Sequence, residues 1–233
     1  MRTAKTTFPN GLKKALTLSF DDCVLQDRRF VHMLNKYNLK CTFNINSGWF
    51  GQVDFIGDIN HSHIFANEVK SLYQNHEVAV HSVNHPCLTN LSDECLKAEI
   101  LDDKAALEAL VGYEITGMAY PGGTWNEALF PKLKNLGIEY ARTIDSHGKF
   151  NLPDRPMAWH PTISAVDQSL MTLTDKFIEL QPDEPALFYV WGHSYEFDAA
   201  NGWDRIEEFC SKISGKNDIW YATNIEIIHC CDC

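Results

Sequence analysis

Short runs in which apolar and polar positions alternate are spread along the chain, separated by stretches with apolar residues three and four apart. Residues 15–20 (ALTLSF), 41–45 and 77–81 carry the period of two that predicts strands. Between the first two, Phe30, Val31, Leu34 and Tyr37 recur at helical spacing, and Ile64, Phe65, Val69, Leu72 and Tyr73 predict the core-facing stripe of a second helix. Ser92 is placed as an N-cap, with Asp93 and Glu94 where negative charge suits the helix dipole. That helix runs through Leu96, Ile100 and Leu107 to Leu110, and Gly112 ends it. Further strands are expected near 118–120, 140–143, 159–163, 187–191 and 219–222, with helices near 126–136, 170–180 and 205–213. Strands alternating with helices make βα units and a mostly parallel sheet, and seven or eight units without a linker favour a closed barrel.

The chain length and the lack of a linker predict one domain over residues 1–233. The 233 residues are 45% hydrophobic, 22% charged and 12% aromatic, enough apolar material for a full core. No apolar run approaches the ~18 residues a membrane span needs, so no membrane partner is expected. A net charge of −11 repels phosphate backbones and argues against nucleic acid. Residues 1–14 have Arg2 and Lys5 without an apolar stretch behind them, so no secretory signal is expected. Of the eight cysteines, Cys23, Cys41, Cys87, Cys95 and Cys210 lie singly, which fits a reducing, cytoplasmic setting. The crowded terminus His229-Cys230-Cys231-Asp232-Cys233 is a possible soft-metal site, weighed below the reading of a fraying end.

In a parallel barrel, reactive residues belong at the C-terminal ends of strands. The first strand runs into Ser19-Phe20-Asp21-Asp22-Cys23 and the third into His81-Ser82-Val83-Asn84-His85. The fourth ends in Tyr120-Pro121-Gly122-Gly123 and the seventh in Trp191-Gly192-His193-Ser194-Tyr195-Glu196. A turn of helix would put His81 and His85, four apart, on one side, as two imidazoles on one metal require. A carboxylate from another strand end completes a two-histidine, one-aspartate site with open positions. Alone, each motif has an ordinary reading, as surface histidines or a helix cap; their co-occurrence in barrel order overturns it.

That combination resembles the polysaccharide deacetylases of carbohydrate esterase family 4. The family's Thr/Ser-Phe-Asp-Asp-Gly is matched by Ser19-Phe20-Asp21-Asp22, with Cys23 in place of glycine, and His-Ser/Thr-x-x-His by His81-Ser82-x-x-His85. An apolar strand ending in histidine is matched loosely by residues 187–193. The resemblance spans about residues 15–224, which sets the core of the domain. The resemblance implies a distorted (β/α)7-type barrel and one divalent metal ion, zinc as the family's usual choice, held by Asp22, His81 and His85. It implies Asp21 as general base and His193 as general acid. The chemistry is coherent: a metal polarises an amide carbonyl and lowers the pKa of water, a carboxylate takes the water's proton, and an imidazole protonates the departing amine.

Two motifs depart from the family. Where Arg-x-Pro-Tyr/Phe is usual, the chain reads Ala119-Tyr120-Pro121-Gly122, so the arginine and the groove aromatic are missing. Tyr120, Pro121 and Gly122 remain candidates for substrate contact, with the Gly122 amide available to an oxyanion. The Asp-x-x-Asp-Trp motif is not recognisable, but Arg142 and Asp145 occupy the right interval, and Arg142 is expected to partner Asp21. The competing account of Arg142 is a surface salt bridge. Trp49, Trp125, Trp191 and Tyr195 follow strand ends where sugar rings stack, with Trp191 the leading pocket candidate; core packing is the alternative for each.

Three functions follow. The first is hydrolytic removal of acetyl groups from N-acetylated sugars or oligosaccharides. The second is cleavage of a non-peptide C–N bond in a small non-sugar amide by a related amidohydrolase. The third is a catalytically silent carbohydrate-binding relative, against which the retention of both Asp21 and His193 speaks.

Overall fold

Strand β1 (Lys14–Asp21) is buried at every position, although its sequence alternates polar and apolar residues. The alternation therefore separates the two faces of a covered sheet, not core from solvent. Leu16, Leu18 and Phe20 face outward into the large core cluster with Phe30 and Phe197, whereas Thr17, Ser19 and Asp21 line the other face. That inner face meets a smaller cluster containing Ala15, Tyr140, Trp159, Leu187, Tyr189 and Ile227. The polar positions of β1 thus climb the barrel interior and arrive at Asp21.

The computed structural model describes residues 7–199 and 201–231. After β1 come α1 (Asp27–Lys36), β2 (Thr42–Ile45), the short hairpin β3 (Phe55–Ile56) and β4 (Ile59–Asn60), and α2 (Val69–Leu72). Next are β5 (Glu77–Val80), α3 (Asp93–Val111), β6 (Gly117–Ala119), α4 (Leu129–Asn135), β7 (Tyr140–Arg142) and β8 (Ile163–Ser164). The chain continues through α5 (Leu170–Glu179), β9 (Ala186–Gly192), α6 (Gly202–Ile213), β10 (Ile219–Tyr221) and α7 (Asn224–Cys231). The parallel strand order is β7-β6-β5-β2-β1-β9-β8, with β10 paired to the first half of β1. A single parallel bridge from Arg142 to Trp159 links β7 to the segment entering β8, so seven strands curl into a distorted (β/α)7 barrel. No described helix is long and apolar enough to cross a membrane.

Ser92 caps α3 through its hydroxyl, which accepts from the Cys95 amide at 3.2 Å, and Gly112 ends it at φ +85°. Other expectations need correction. The stripe beginning at Ile64 yields a 3-10 turn (Ala66–Glu68) leading into the four-residue α2, because residues 61–65 run extended against the loop after β1 and leave Phe65 exposed. The predicted strand at 159–163 shrinks to the Trp159 bridge and β8. The C-terminus does not fray from residue 224. Helix α7 docks Ile227, Ile228 and Cys230 onto the inner cluster, and the His229 ring contacts Glu139 at 2.9 Å. Asp232 and Cys233 of the terminal cluster lie outside the described residues.

Candidate active site

The chain leaves β1 in a conformation that turns two neighbouring carboxylates apart. Asp22 and Cys23 both have positive φ, +78° and +48°, a region costly for non-glycine residues. Asp21 stays on the strand's inner face. Its Oδ2 is ion-paired with Arg142, a fully buried side chain, and its Oδ1 accepts from Asn44 Nδ2 at 2.8 Å. Burial works against the Asp21 charge, but Arg142 first, then His81 and His193, hold its pKa below the usual value. The Arg142 plane also lies over the Trp191 ring, 4.9 Å from its centroid.

Asp22 faces different neighbours. Its Oδ1 lies 3.6 Å from His81 Nε2 and 3.9 Å from His85 Nε2, and it is buried without a hydrogen-bond partner. One ligand atom from each of Asp22, His81 and His85 falls within 4.8 Å of the others. His81 Nδ1–H donates to the Ala119 carbonyl at 2.9 Å, which leaves the Nε2 lone pair facing the centre. Burial lowers the His81 pKa to about 4, so the ring is neutral. An orphaned anionic oxygen beside an inward-facing imidazole lone pair suits a divalent cation.

The histidine spacing works by a route different from the expected turn of helix. Residues 81–85 form a loop in which Ser82 (φ +63°) and His85 (φ +55°) both take left-handed conformations. Asn46 Nδ2 donates to the carbonyls of His81 and Ser82 at 2.5 and 2.9 Å, while buried Asp103 accepts from the amides of Ser47 and His81. The Ser82 hydroxyl accepts from the His85 amide at 3.0 Å. Neighbouring loops, not helical geometry, bring the two rings together.

His193 follows β9. Its Nε2 lies 3.8 Å from Oδ2 of both Asp21 and Asp22, and its Nδ1 is 3.3 Å from Glu196 Oε2. Burial opposes a charge on this ring, but Glu196, Asp22 and Asp21 raise its pKa to about 9. The adjacent Ser194 hydroxyl donates to Asp27 at 2.6 Å, and Tyr73 donates to the other Asp27 oxygen, pinning this loop to α1.

A cavity of about 300 Å³ opens over these groups. Asp21, Asp22, His81, His85, His193, Tyr120, Gly122 and Trp191 line it, together with Trp49, Ile56, Ile144 and Tyr195. Pro121 is buried and is not among the lining residues, and Trp125 instead donates to Asp145 at 3.1 Å. Arg142 stands behind Asp21. The Gly122 amide expected to meet an oxyanion donates to His85 Nε2 at 3.3 Å. Gly122 and Gly123 both have positive φ, and a Cβ on Gly123 would collide with Ile144.

Sequence reasoning missed several members of this site. Asn44 and Asn46 sit at alternate positions at the end of β2, and two asparagines there were a usable signal because the residue is depleted in strands. His61, 5% exposed, puts Nε2 3.4 Å from Asp22 Oδ2 and Nδ1 3.3 Å from Asp54 Oδ2. Its clue was the alternation His61-Ser62-His63 in a segment without periodicity. Burial opposes the His61 charge, and the two carboxylates still raise its pKa.

Fold and geometry define a class: an α/β barrel whose strand ends carry an open centre of two histidines and one carboxylate beside a second, arginine-paired carboxylate. The sequence profile described as polysaccharide deacetylase matches residues 9–141, and the chain belongs to that family. The family's enzymes are hydrolases acting on non-peptide C–N bonds. A Mycobacterium smegmatis protein assigned as a polysaccharide deacetylase superposes with TM-score 0.71 at 16% identity, covering 100% of this chain and 94% of its own. A family 4 pseudoenzyme of Bacillus anthracis superposes with TM-score 0.62 at 15% identity, covering 95% of this chain and 66% of its own. A Streptococcus pyogenes deacetylase aligns at 24% identity with TM-score 0.49, and the alignment spans 55% of each chain. Comparison with curated proteins gives no match.

Proposed function

We propose that the chain is a metal-dependent hydrolase that removes acetyl groups from N-acetylated sugars or oligosaccharides. The observation that carries this reading is the division between two adjacent aspartates. Asp21 has both oxygens engaged, by Arg142 and Asn44, whereas Asp22 presents a bare Oδ1 to two imidazoles. Asp22, His81 and His85 would hold the ion, most simply zinc given a donor set of two imidazoles and a carboxylate. A divalent ion in that position supplies Lewis acidity toward an amide carbonyl and a lowered pKa for water.

The chain's own residues move the protons. Asp21, kept ionised by Arg142, accepts the proton of the attacking water through Oδ2, the oxygen that faces His81 and His193. His193, charged through Glu196 and the aspartates, gives its Nε2 proton to the departing nitrogen as the C–N bond breaks. A silent binding protein would need neither group.

One observation favours the second reading, a small non-sugar amide. Beyond the charged centre, the aliphatic side chains Ile56 and Ile144 line the cavity beside the aromatic rings and offer no partner to sugar hydroxyls. Acetate release from chito-oligosaccharides, compared with hydrolysis of simple amides, separates the two. Two isosteric variants test the shared mechanism. Asp21→Asn should keep the bound ion and lower turnover by ~10²–10⁴, while Asp22→Asn should weaken the ion itself. The reverse outcome would exchange the two roles, and full activity in both would remove the two aspartates from the mechanism.

A further inference from the structure

The hairpin β3–β4 and its flanks form a strap that carries a histidine into the site. The strap is stitched to the loop after β1: Leu25 N–H donates to the Ser62 carbonyl at 2.8 Å, and Ile64 N–H to the Cys23 carbonyl at 3.0 Å. Val24 and His63 form an antiparallel bridge. Within the strap, the His61 amide donates to the Asp54 carbonyl at 2.9 Å, and Asp54 Oδ1 accepts from the Phe55 amide at 2.8 Å. Asp54 Oδ2 is thereby aimed at His61 Nδ1, 3.3 Å away, and His61 Nε2 is aimed at Asp22 Oδ2, 3.4 Å away. The Tyr195 ring meets the His61 ring edge-on, with centroids 4.7 Å apart.

We propose that Asp54 and His61 are positioning residues that lock the Asp22 carboxylate with Oδ1 toward His81 and His85, preorganising the divalent-ion site. This rests on the reading of Asp22 as a metal ligand. The argument begins with the backbone. Asp22 lies beyond the end of β1 in a left-handed conformation, so no regular element fixes its side chain. A carboxylate free to rotate would turn a bare, buried oxygen toward whatever donor it could find. His61 takes Oδ2 at a shorter distance than His193, which stands 3.8 Å from the same oxygen. With Oδ2 held, Oδ1 remains without a hydrogen-bond partner, and the cost of that arrangement is met during folding, not during metal binding. His61 acts on the oxygen turned away from the other two donors and is not part of the three-residue ligand group.

The test is the Zn²⁺ affinity of the purified metal-free protein, measured by competition with a chelator of known strength. His61→Ala should weaken Zn²⁺ by about 10–100-fold while one ion per chain still binds at saturation. His61→Leu, which fills space without donating, should behave like the alanine variant. His61→Gln, whose amide nitrogen reaches toward the Nε2 position, should recover most of the affinity, and Asp54→Asn should lose less than His61→Ala. Asp22→Ala serves as the control and should abolish specific binding. If the control keeps wild-type affinity, the metal reading itself fails. If the control loses the ion while His61→Ala or His61→Leu keeps wild-type affinity, only this inference fails. Stoichiometric loss of the ion in every His61 variant, glutamine included, would make His61 a ligand instead.

Discussion

Buried polar clusters occupy both ends of this barrel, and they are built to opposite rules. At the end where the strands begin, Glu77 accepts from the Tyr140 hydroxyl at 2.7 Å, the Thr42 hydroxyl at 2.8 Å and the Ile225 amide at 2.9 Å. Asn224 joins the same cluster, donating to the Tyr189 hydroxyl and to Thr42, and accepting from Thr17. None of these side chains has an unmatched buried atom. At the end where the strands finish, Asp22 Oδ1 and Arg142 Nε lack hydrogen-bond partners. A satisfied buried network fixes one structure and has nothing left to offer a ligand. An unsatisfied one stores binding capacity, and here it coincides with the cavity. The lower cluster anchors α7 under the barrel, and the upper cluster is the candidate site.

Breaking the two clusters should therefore have different consequences. The largest effect belongs to His81→Ala. It should remove the bound ion and with it catalysis, yet leave the metal-free protein folded with only the lowered melting temperature of one truncated buried side chain, because the core clusters are apolar. Metal analysis and calorimetry read both arms. Arg142→Met comes next. It strands the Asp21 charge in a buried position, so stability should drop by ~3–5 kcal/mol and turnover should fall, while the ion stays bound. Unchanged activity in that variant would remove Arg142 from the mechanism.

Glu77→Ala acts on the lower cluster and leaves three donors without their acceptor. It should cost about 2–4 kcal/mol in denaturant unfolding, with turnover of the folded protein and metal affinity unaltered. A loss of metal affinity would show that the two ends are coupled. The smallest effect is a shift in one titration. In the metal-free protein the His193 ring should hold its proton to about pH 9, against an ordinary value of 6.5. A raised pKa means that its contribution to stability is complete below about pH 6.5 and is lost as pH rises through about 9. Glu196→Gln removes the strongest raising partner and should bring the transition down, as followed by NMR. A transition still near 9 would assign the proton to the aspartates alone.

What the sequence made legible follows the same division. Strand ends announce themselves when an apolar alternation stops at a reactive residue, and Asp21, Asp22, His81, His85 and His193 were all found that way. Arg142 was found by interval, and the structure places it fully buried against Asp21 instead of on the surface. Residues that act through tertiary contact left weaker traces. His61 and Asp54 lie on a strap with no period, and Glu77 and Asn224 became partners only once α7 folded beneath the barrel. The expected helix after Ile64 is cut short because hydrophobic spacing cannot tell an extended segment laid over a neighbouring loop from a helical stripe. The positive φ at Cys23 explains in physical terms why a glycine suits that position, although this chain manages without one.

The central claim is that the unsatisfied upper cluster is a metal-dependent deacetylating centre. Its most direct test is acetate released per chain from N-acetylated chito-oligosaccharides, with the same protein assayed metal-free and after one equivalent of Zn²⁺. The account predicts no release without the ion and multiple turnovers once it is restored. Equal release in both states, or none in the zinc-loaded protein across sugars and small amides alike, would contradict it.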